Sequence, residues 1–325
     1  MRGVPIALPC IWLLATAAQQ QPVDTIAGTD YSANTAETPP DTQSDIQYDT
    51  SDRMTLPVTV NGHSSVKFLV DTGSERTVVS DELATLLNLP RTGVVKISGT
   101  VGSTVAPTAH IESLNFTNIS LNGFKAPVLK RQDLGAEGLI GIDSLQKKLV
   151  IFDFENHKME IREAKRRPAR TIVNDDEIVV TARNRLGRLV ISKAYLDNIP
   201  VTIVIDSGAQ YSIGNPALLA KLQKKRKPNL LVVELRSVTG QVMSVPVVKA
   251  KQLEIGQVNL QGVPIAFADS PAFHTLKLAE KPTLLLGMNS MRAFRRVEVD
   301  FTNLSVRFFN PDGAGLATNQ RYASR

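Results

Sequence analysis

Phe68-Leu69-Val70-Asp71-Thr72-Gly73-Ser74 is the first of two nearly equivalent stretches in this 325-residue chain, and the second is Ile203-Val204-Ile205-Asp206-Ser207-Gly208-Ala209. In each stretch an apolar run ends in Asp, and a hydroxyl residue and a glycine follow. The pattern predicts a buried strand that delivers a carboxylate into a turn that glycine tolerates best. One such triplet arises by chance in roughly one chain in six of this length. Two copies behind matching strands therefore indicate an internal repeat.

The repeat continues beyond the two triplets. Residues 81–89 predict a short helix with Leu83, Leu86 and Leu87 on one face, and a proline stops it. In the second copy, Asn215 stands before a proline as a helix N-cap, and an apolar helical pattern follows. Each half is therefore predicted to place a helix soon after its Asp.

Each half also carries a later apolar run closed by glycine, with an acid or amide two residues further on. These runs are Gly138-Leu139-Ile140-Gly141-Ile142-Asp143 and Leu284-Leu285-Leu286-Gly287-Met288-Asn289. The distance from Asp to this glycine is 70 residues in the first half and 81 in the second. We attribute the difference to an insertion in the second half. Short runs of Val, Ile, Leu and Phe between turn residues predict a mainly β chain.

These motifs resemble those of the retropepsin-like aspartic proteases, over most of residues 54 to 310. Retroviral members pair two identical subunits, and this chain looks like both subunits fused, as in bacterial single-chain relatives. The resemblance implies a mainly β fold of two homologous retropepsin-like (acid protease) lobes. It also implies that the lobes form an intrachain pseudo-dimer with a cleft between them.

The resemblance also implies roles for individual residues. Asp71 and Asp206 would be the catalytic pair, and Thr72 and Ser207 would brace the paired loops through their hydroxyls. The remaining candidates are the turn and loop residues Gly73, Ser74, Gly208 and Ala209, and the hydrophobic-glycine segments Ile140-Gly141 and Leu286-Gly287. After the triplet glycine the family often has Ala and then Asp or Asn, and this chain departs from that pattern with Ser74-Glu75 and Ala209-Gln210.

Paired carboxylates suit amide hydrolysis for a physical reason. Two like charges a few ångströms apart cannot both ionise at low cost, so the pair retains one proton over a broad acidic range. The ionised member takes a proton from water while the protonated member polarises the carbonyl. A coupled pair titrates as a unit, so the sequence does not assign the two roles to Asp71 and Asp206.

One glycine-tipped hairpin in each half is predicted to cover the site as a flap. The first carries Gly99 and Gly102 at its tip, between residues 94–98 and 104–106. The second carries Gly240, between residues 231–235 and 242–243. The alternative for each is an ordinary hairpin turn.

The sequence predicts six segments. Residues 1–18 have the features of a cleaved signal peptide, with an apolar run followed by small residues, and they contain Cys10, the chain's only cysteine. The other segments are a disordered acidic leader (19–52), a first lobe (53–162), a basic linker (163–177), a second lobe (178–310) and a C-terminal tail (311–325). We expect an exported protein, located in the periplasm if the host is bacterial, and no disulfide in the mature form.

Charge and motif content narrow the range of partners. Residues 53–325 hold 36 Lys and Arg against 24 Asp and Glu. Two basic clusters stand out, the first at Arg162, Lys165, Arg166, Arg167 and Arg170 and the second at Lys221, Lys224, Lys225, Arg226 and Lys227. Weak contact with anionic envelope surfaces is one expectation for them, and simple solvation is the other. The clusters lack the interleaved aromatics of a nucleic-acid groove, so no nucleic-acid partner is expected. The four histidines have no zinc-protease spacing, and no nucleotide loop occurs, so neither a metal nor a cofactor is predicted.

We therefore predict a single-chain aspartic endopeptidase that acts on polypeptides as a monomer. One alternative is a catalytically silent exported module of the same fold that binds peptides or serves as a scaffold. Retention of both carboxylates argues against it, because a lone Asp cannot divide acid and base work. Another alternative is that the halves pair between two chains and form a dimer with two sites.

Overall fold

A computed structural model describes residues 53–166, 177–225 and 230–310, and it gives the backbone alone for Gln43–Asp45, Gln47–Tyr48 and Gln320–Arg321. The described residues belong to one compact unit. The predicted signal peptide, most of the leader and most of the C-terminal tail lie outside the described residues. Within those limits the chain is mainly β, as predicted.

The first half consists of strands with three short helices. The strands are β1 Gln43–Asp45, β2 Gln47–Tyr48, β3 Met54–Val60, β4 His63–Val70, β5 Val78–Ser80, β6 Arg91–Ser98, β7 Ser103–Phe116, β8 Ile119–Leu129, β9 Gly138–Ile140, β10 Lys148–Asp153 and β11 Lys158–Glu163. The helices are α1 Asp81–Leu86, α2 Arg131–Leu134 and α3 Ile142–Leu145. Strands β2 to β9 form one eight-stranded sheet in the order β2-β3-β4-β9-β5-β8-β7-β6.

The second half repeats this plan. Its strands are β12 Glu177–Thr181, β13 Arg183–Arg185, β14 Arg188–Leu196, β15 Ile199–Ile205, β16 Ser212–Gly214, β17 Leu231–Arg236, β18 Val242–Lys249, β19 Gln252–Ile255, β20 Val258–Gln261, β21 Pro264–Phe267, β22 Thr283–Leu286, β23 Arg296–Asp300, β24 Ser305–Phe309 and β25 Gln320–Arg321. Its helices are α4 Pro216–Lys225, α5 Pro271–Thr275 and α6 Met288–Met291. An eleven-stranded sheet has the order β17-β18-β21-β16-β22-β15-β14-β19-β20-β25, with β13 paired to β14.

A third sheet joins the two halves. Its order is β1-β11-β10-β23-β24-β12, and β10 pairs antiparallel with β23, so that Val150 lies opposite Val299. The buried aromatics Phe152 and Phe308 belong to one hydrophobic cluster that contains residues of both halves. Removal of this much apolar surface from water makes the halves one folding unit. The sequence predicted two lobes but not the sheet that they share.

The structure differs from the predicted segments at several boundaries. The end of the leader is paired backbone, since Gln43–Asp45 pairs with β11 and Gln47–Tyr48 pairs with β3. In the tail, Gln320–Arg321 pairs with β20. The first lobe extends through Glu163, the last residue of β11, and Glu177 opens β12 rather than closing the linker.

The two predicted helices form, with one difference. α1 ends at Leu86, whose side chain is exposed, whereas Leu83 is buried and Leu87 packs against the core. In the second half, Asn215 accepts a hydrogen bond through Oδ1 from the Leu218 N–H at 3.0 Å, as expected of an N-cap.

The basic clusters lie partly outside the described residues. In the first cluster, Arg162 lies in β11 and forms an ion pair with Glu160 at 3.3 Å, whereas Arg167 and Arg170 are outside the described residues. In the second, Lys225 closes α4 and donates from Nζ to the Asp197 carbonyl at 2.6 Å. Arg226 and Lys227 are outside the described residues, so contact with anionic surfaces stays a prediction.

Candidate active site

Asp71 and Asp206 occupy equivalent places in the two halves. Asp71 follows β4, and its N–H donates to the Ile140 carbonyl at 2.9 Å, at the end of the parallel pair β4–β9. Asp206 follows β15, and its N–H donates to the Leu286 carbonyl at 3.1 Å, at the end of the parallel pair β15–β22. Both carboxylates therefore leave their sheets at the same kind of strand end, as the repeat predicted.

The turn after each Asp hydrogen-bonds to its carboxylate. Oδ1 of Asp71 accepts from the N–H groups of Gly73 at 2.8 Å and Ser74 at 2.9 Å. Oδ1 of Asp206 accepts from the Gly208 N–H at 3.2 Å. Because these donors are backbone groups, they hold each carboxylate in a fixed orientation.

The two turns bring the carboxylates together. A Cβ atom added at Gly73 would lie 2.4 Å from Oδ1 of Asp206, and one added at Gly208 would lie 2.1 Å from Cγ of Asp71. Real Cβ atoms do not approach other atoms this closely. Each glycine is therefore required by the close approach of its backbone to the carboxylate of the other half.

Thr72 and Ser207 form a reciprocal network beneath the pair. The Thr72 hydroxyl donates to the Ile205 carbonyl at 3.1 Å and accepts from the Ser207 N–H at 3.0 Å. The Ser207 hydroxyl donates to the Val70 carbonyl at 2.8 Å and accepts from the Thr72 N–H at 3.1 Å. Both residues are buried. Four hydrogen bonds thus cross between the halves at the base of the site, where sequence similarity predicted bracing.

Two protease family models match the chain, one in each half. Residues 56–147 match the family described as gag-polyprotein putative aspartyl protease, and residues 192–290 match the family described as aspartyl protease. The chain belongs to the retropepsin-like aspartyl proteases. Its two matched regions stand in tandem and contain Asp71 and Asp206, one in each. No curated protein matches the chain.

The hydrophobic-glycine segments of this protease lie beneath the active-site turns. A Cβ added at Gly141 would lie 2.4 Å from the backbone carbon of Arg76, and one at Gly287 would lie 2.5 Å from the Tyr211 oxygen. The preceding side chains, Ile140 and Leu286, are fully buried. Glycine is needed here because two backbone segments cross in contact.

A polar pair in each half fixes this crossing, and the sequence analysis did not assign it a role. The Thr77 hydroxyl donates to Oδ1 of Asp143 at 2.8 Å and accepts from the Gly141 N–H at 3.1 Å. In the second half, the Ser212 hydroxyl lies 2.9 Å from Oδ1 of Asn289 and accepts from the Gly287 N–H at 3.0 Å. The acid or amide two residues after each glycine was the sequence signal for this pair.

The two predicted flaps are hairpins, β6–β7 and β17–β18, whose tips meet. Nε2 of Gln241 donates to the Ser103 carbonyl at 3.1 Å. A Cβ at Gly99 would lie 2.0 Å from Oγ of Ser237, and one at Gly102 would lie 2.1 Å from Oε1 of Gln241. Both glycines therefore stand where one tip contacts the other.

Gly240, the tip glycine of the second flap, contacts α2 of the first half and not the tip of the first flap. A Cβ at Gly240 would lie 2.8 Å from Oδ2 of Asp133, which precedes the end of α2. Arg236, at the base of the same tip, forms an ion pair with Asp133 at 3.7 Å. The second flap is thus held against the first half. That these hairpins open to admit a substrate stays a prediction.

A pocket adjoins both carboxylates and is lined from both halves. Its walls include Asp71, Asp206, Gly73 and Gly208, the flap residues 96–100, and Val238. The pocket is therefore open to a ligand next to the carboxylate pair and is bordered by the flaps, which suits a substrate site.

Burial raises the pKa of Asp71 above its ordinary value, although the residue keeps part of its surface in solvent. The N–H groups of Gly73 and Ser74 and the positive charges of Arg53 and Arg188 oppose this rise. Hydrogen bonds and positive charge favour the ionised form of a carboxyl group. Two N–H groups and two arginines thus favour the ionised form of Asp71.

Burial, followed by the negative charge of Asp71, raises the pKa of Asp206 to about 7. Arg188 and the N–H groups of Gly208 and Ala209 oppose this rise. The shift has the direction expected when one of two adjacent carboxyl groups keeps a proton.

Arg188 and Arg53 belong to the site and were missed in the sequence analysis. Arg188 opens β14 and reaches across to the first half, where Nε donates to the Gly73 carbonyl at 2.8 Å and Nη1 lies 3.3 Å from Oε1 of Glu75. Arg53 is buried and donates from Nη2 to the Leu134 carbonyl. Each arginine stands 18 residues before the Asp of its half, which is the repeat signal that could have found them.

The described residues contain no group of three or more His, Cys, Asp or Glu side chains placed to hold a metal ion. Among them, no helix combines the length and apolar character that crossing a membrane requires.

Proposed function

We propose that this protease is an endopeptidase in which Asp71 and Asp206 share one proton and hydrolyse peptide bonds with an activated water. The supporting observation is the reciprocal approach of Gly73 and Gly208 to the opposite carboxylates, which allows the two groups to act on one atom. The pocket beside them has room for substrate and is bordered by both flaps.

In this mechanism Asp71 is the ionised member and Asp206 carries the shared proton. Two observations support this assignment: the positive charge of Arg53 lowers the pKa of Asp71, and the negative charge of Asp71 raises the pKa of Asp206. Asp71 takes a proton from water as the water oxygen attacks the peptide carbonyl carbon, and Asp206 donates its proton to the carbonyl oxygen. Collapse of the tetrahedral diol breaks the C–N bond. The leaving nitrogen takes a proton from Asp71, and one diol hydroxyl gives its proton to Asp206, so that the pair again holds one proton.

The test is digestion of an unbiased peptide mixture by the purified chain between pH 4 and 8, in water enriched in ¹⁸O. We expect new peptide termini, with one ¹⁸O atom in each new carboxyl group after a single turnover. Added amine nucleophiles should not be incorporated, since no acyl-enzyme forms. Retention of every peptide across the whole pH range would overturn the proposal and favour a silent peptide-binding module.

The pH profile of kcat provides a prediction about Arg188. Activity requires one proton on the pair, so it should fall as the pH rises through about 7, where Asp206 loses its proton. Arg188 lowers the pKa of both carboxyl groups. Arg188→Met should therefore raise both pKa values and move both limbs of the profile to higher pH by roughly one unit.

The matched control is Arg188→Lys, which keeps the positive charge but loses the hydrogen-bonding geometry of the guanidinium. It should lower kcat with smaller movement of the limbs. If Arg188→Met lowers kcat equally at every pH, the arginine acts only by joining the halves and its electrostatic role is wrong.

A further inference from the structure

The pocket beside the carboxylates is unequal on its two sides. On the first-half side, aliphatic side chains of three strands line it, namely Val78, Leu129 and Leu139. Ile97 of the first flap and Val238 of the second flap complete this wall. These five residues belong to one small hydrophobic cluster, in which Ile97 and Val238 are only partly buried.

The equivalent positions of the second half can be identified by strand register. Val79 pairs with Val128, and Gly214 pairs with Phe267 at the corresponding place. Leu129 of the first half therefore corresponds to Ala268 of the second. By the same repeat, Val78 corresponds to Ile213 and Leu139 to Leu285.

The second-half side is filled. Ile213 and Ala268 do not line the pocket but are buried in a larger cluster that also holds Phe273 of α5. Phe273 is 0% exposed, and Val101 at the tip of the first flap is 3% exposed in the same cluster. Besides residues of the carboxylate turn, Arg188 and the flap residue Val238, the second half presents only Ser270, Ala272, Thr275 and Leu285 to the pocket.

An insertion supplies the filling side chain. Eight residues connect β8 to β9 and contain α2, whose buried Leu134 lines the pocket, whereas fifteen connect β21 to β22 and contain α5. These seven residues are most of the eleven by which the second half is longer. The other four lie between Gly214 and its partner Phe267, which are 53 positions apart, whereas Val79 and Val128 are 49 apart. The second half therefore carries two insertions and not the single one expected from the sequence.

The inserted segment is held in place by hydrogen bonds. Nδ2 of the buried Asn215 lies 3.1, 2.9 and 2.7 Å from the carbonyl oxygens of Leu278, Ala279 and Lys281. The Ser270 hydroxyl caps α5 by accepting from the Ala272 N–H at 3.4 Å. The second-half wall is therefore a fixed surface and not a loop that yields readily to a large side chain.

We propose that the protease selects substrates with a large aliphatic or aromatic side chain on one side of the scissile bond and a small side chain on the other. This inference rests on the proposed function. The large side chain occupies the pocket of Val78, Leu129 and Leu139, and the small one faces Ala272 and Thr275. Size exclusion of this kind changes kcat/KM by about 10- to 200-fold for each badly fitted group.

The experiment is cleavage of a peptide library in which the two residues flanking the scissile bond vary independently. Wild type should favour Leu, Met or Phe at one position and Gly, Ala or Ser at the other by about tenfold or more in kcat/KM. Leu129→Phe, which fills the first-half pocket, should reduce cleavage at large residues in the first position only. Ala272→Leu, which narrows the opposite wall, should restrict the second position only.

Phe273→Ala is the complementary variant, because it opens space behind α5 and should admit larger residues at the second position. It removes a buried aromatic ring and destabilises the fold by about 3–5 kcal/mol, so the two other variants carry the test if it does not fold. Equal tolerance of large residues at both positions in wild type would overturn the inference but leave the proposed function standing. No cleavage by wild type would overturn both.

Discussion

Asp71→Asn and Asp206→Asn are each expected to lower kcat for peptide cleavage by about 1,000-fold or more while the protein remains folded. The reason is that neither remaining carboxyl group can both accept a proton from water and donate one to the carbonyl oxygen. The measurement is the initial rate on a peptide that wild type cleaves, with circular dichroism to confirm the fold. Full activity in either variant would show that the pair does not act as a unit.

Asp153→Asn is a matched control in the sheet that joins the halves. Asp153 accepts from the Asn156 N–H at 2.9 Å, and an Asn side chain can keep that bond through its oxygen. Its rate should stay near that of wild type. A similar loss in this variant would indicate that the effect in the other two comes from folding.

Asp206→Asn should lower the activity but raise the stability of the protein at neutral and higher pH. The raised pKa of Asp206 means that folding favours its protonated form. This contribution to stability is present at acidic pH and is lost as the pH rises through about 7. Asp206→Asn, which stays neutral, should therefore be more stable than wild type at pH 8 by on the order of 2 kcal/mol, with a smaller difference at pH 4. Urea unfolding at the two pH values measures this difference.

Gly208→Ala is expected to lower kcat by about 100-fold or more. Its Cβ would lie 2.1 Å from Cγ and 2.2 Å from Oδ2 of Asp71, so the carboxylate or the turn must shift by an ångström or more. A displacement of that size in a catalytic group lowers rates by about 100-fold. Gly73→Ala should behave alike, since its Cβ meets the Asp206 carboxylate.

Gly123→Ala separates this steric effect from the general effect of replacing a glycine. Gly123 has φ +63° and nothing within 4 Å of the added Cβ. The variant should lose about 1 kcal/mol of stability through backbone strain and keep its activity. If Gly208→Ala retains the wild-type rate, the two turns do not lie against the opposite carboxylates as described.

The sequence was enough to determine the repeat, the mainly β class and the residues at the centre of the site. Local patterns carried this information, because an apolar run before Asp-Thr-Gly specifies both a buried strand and its turn. The glycines of the site could also be placed, although the reasons differ. Gly73 and Gly208 are needed for contact with carboxylates that lie 133 and 137 positions away in the chain, and not for a left-handed backbone.

Tertiary structure alone decided the features that depend on contact between distant segments. The sheet of β10 with β23, the reach of Arg188 to Gly73 and the meeting of the flap tips join residues that no local pattern relates. The unequal pocket belongs to this class as well. The sequence shows only that the second half is eleven residues longer than the first. Packing shows that Phe273 fills the second-half side while the space beside Leu129 stays open, because burial is decided by the side chains that the fold brings around a residue.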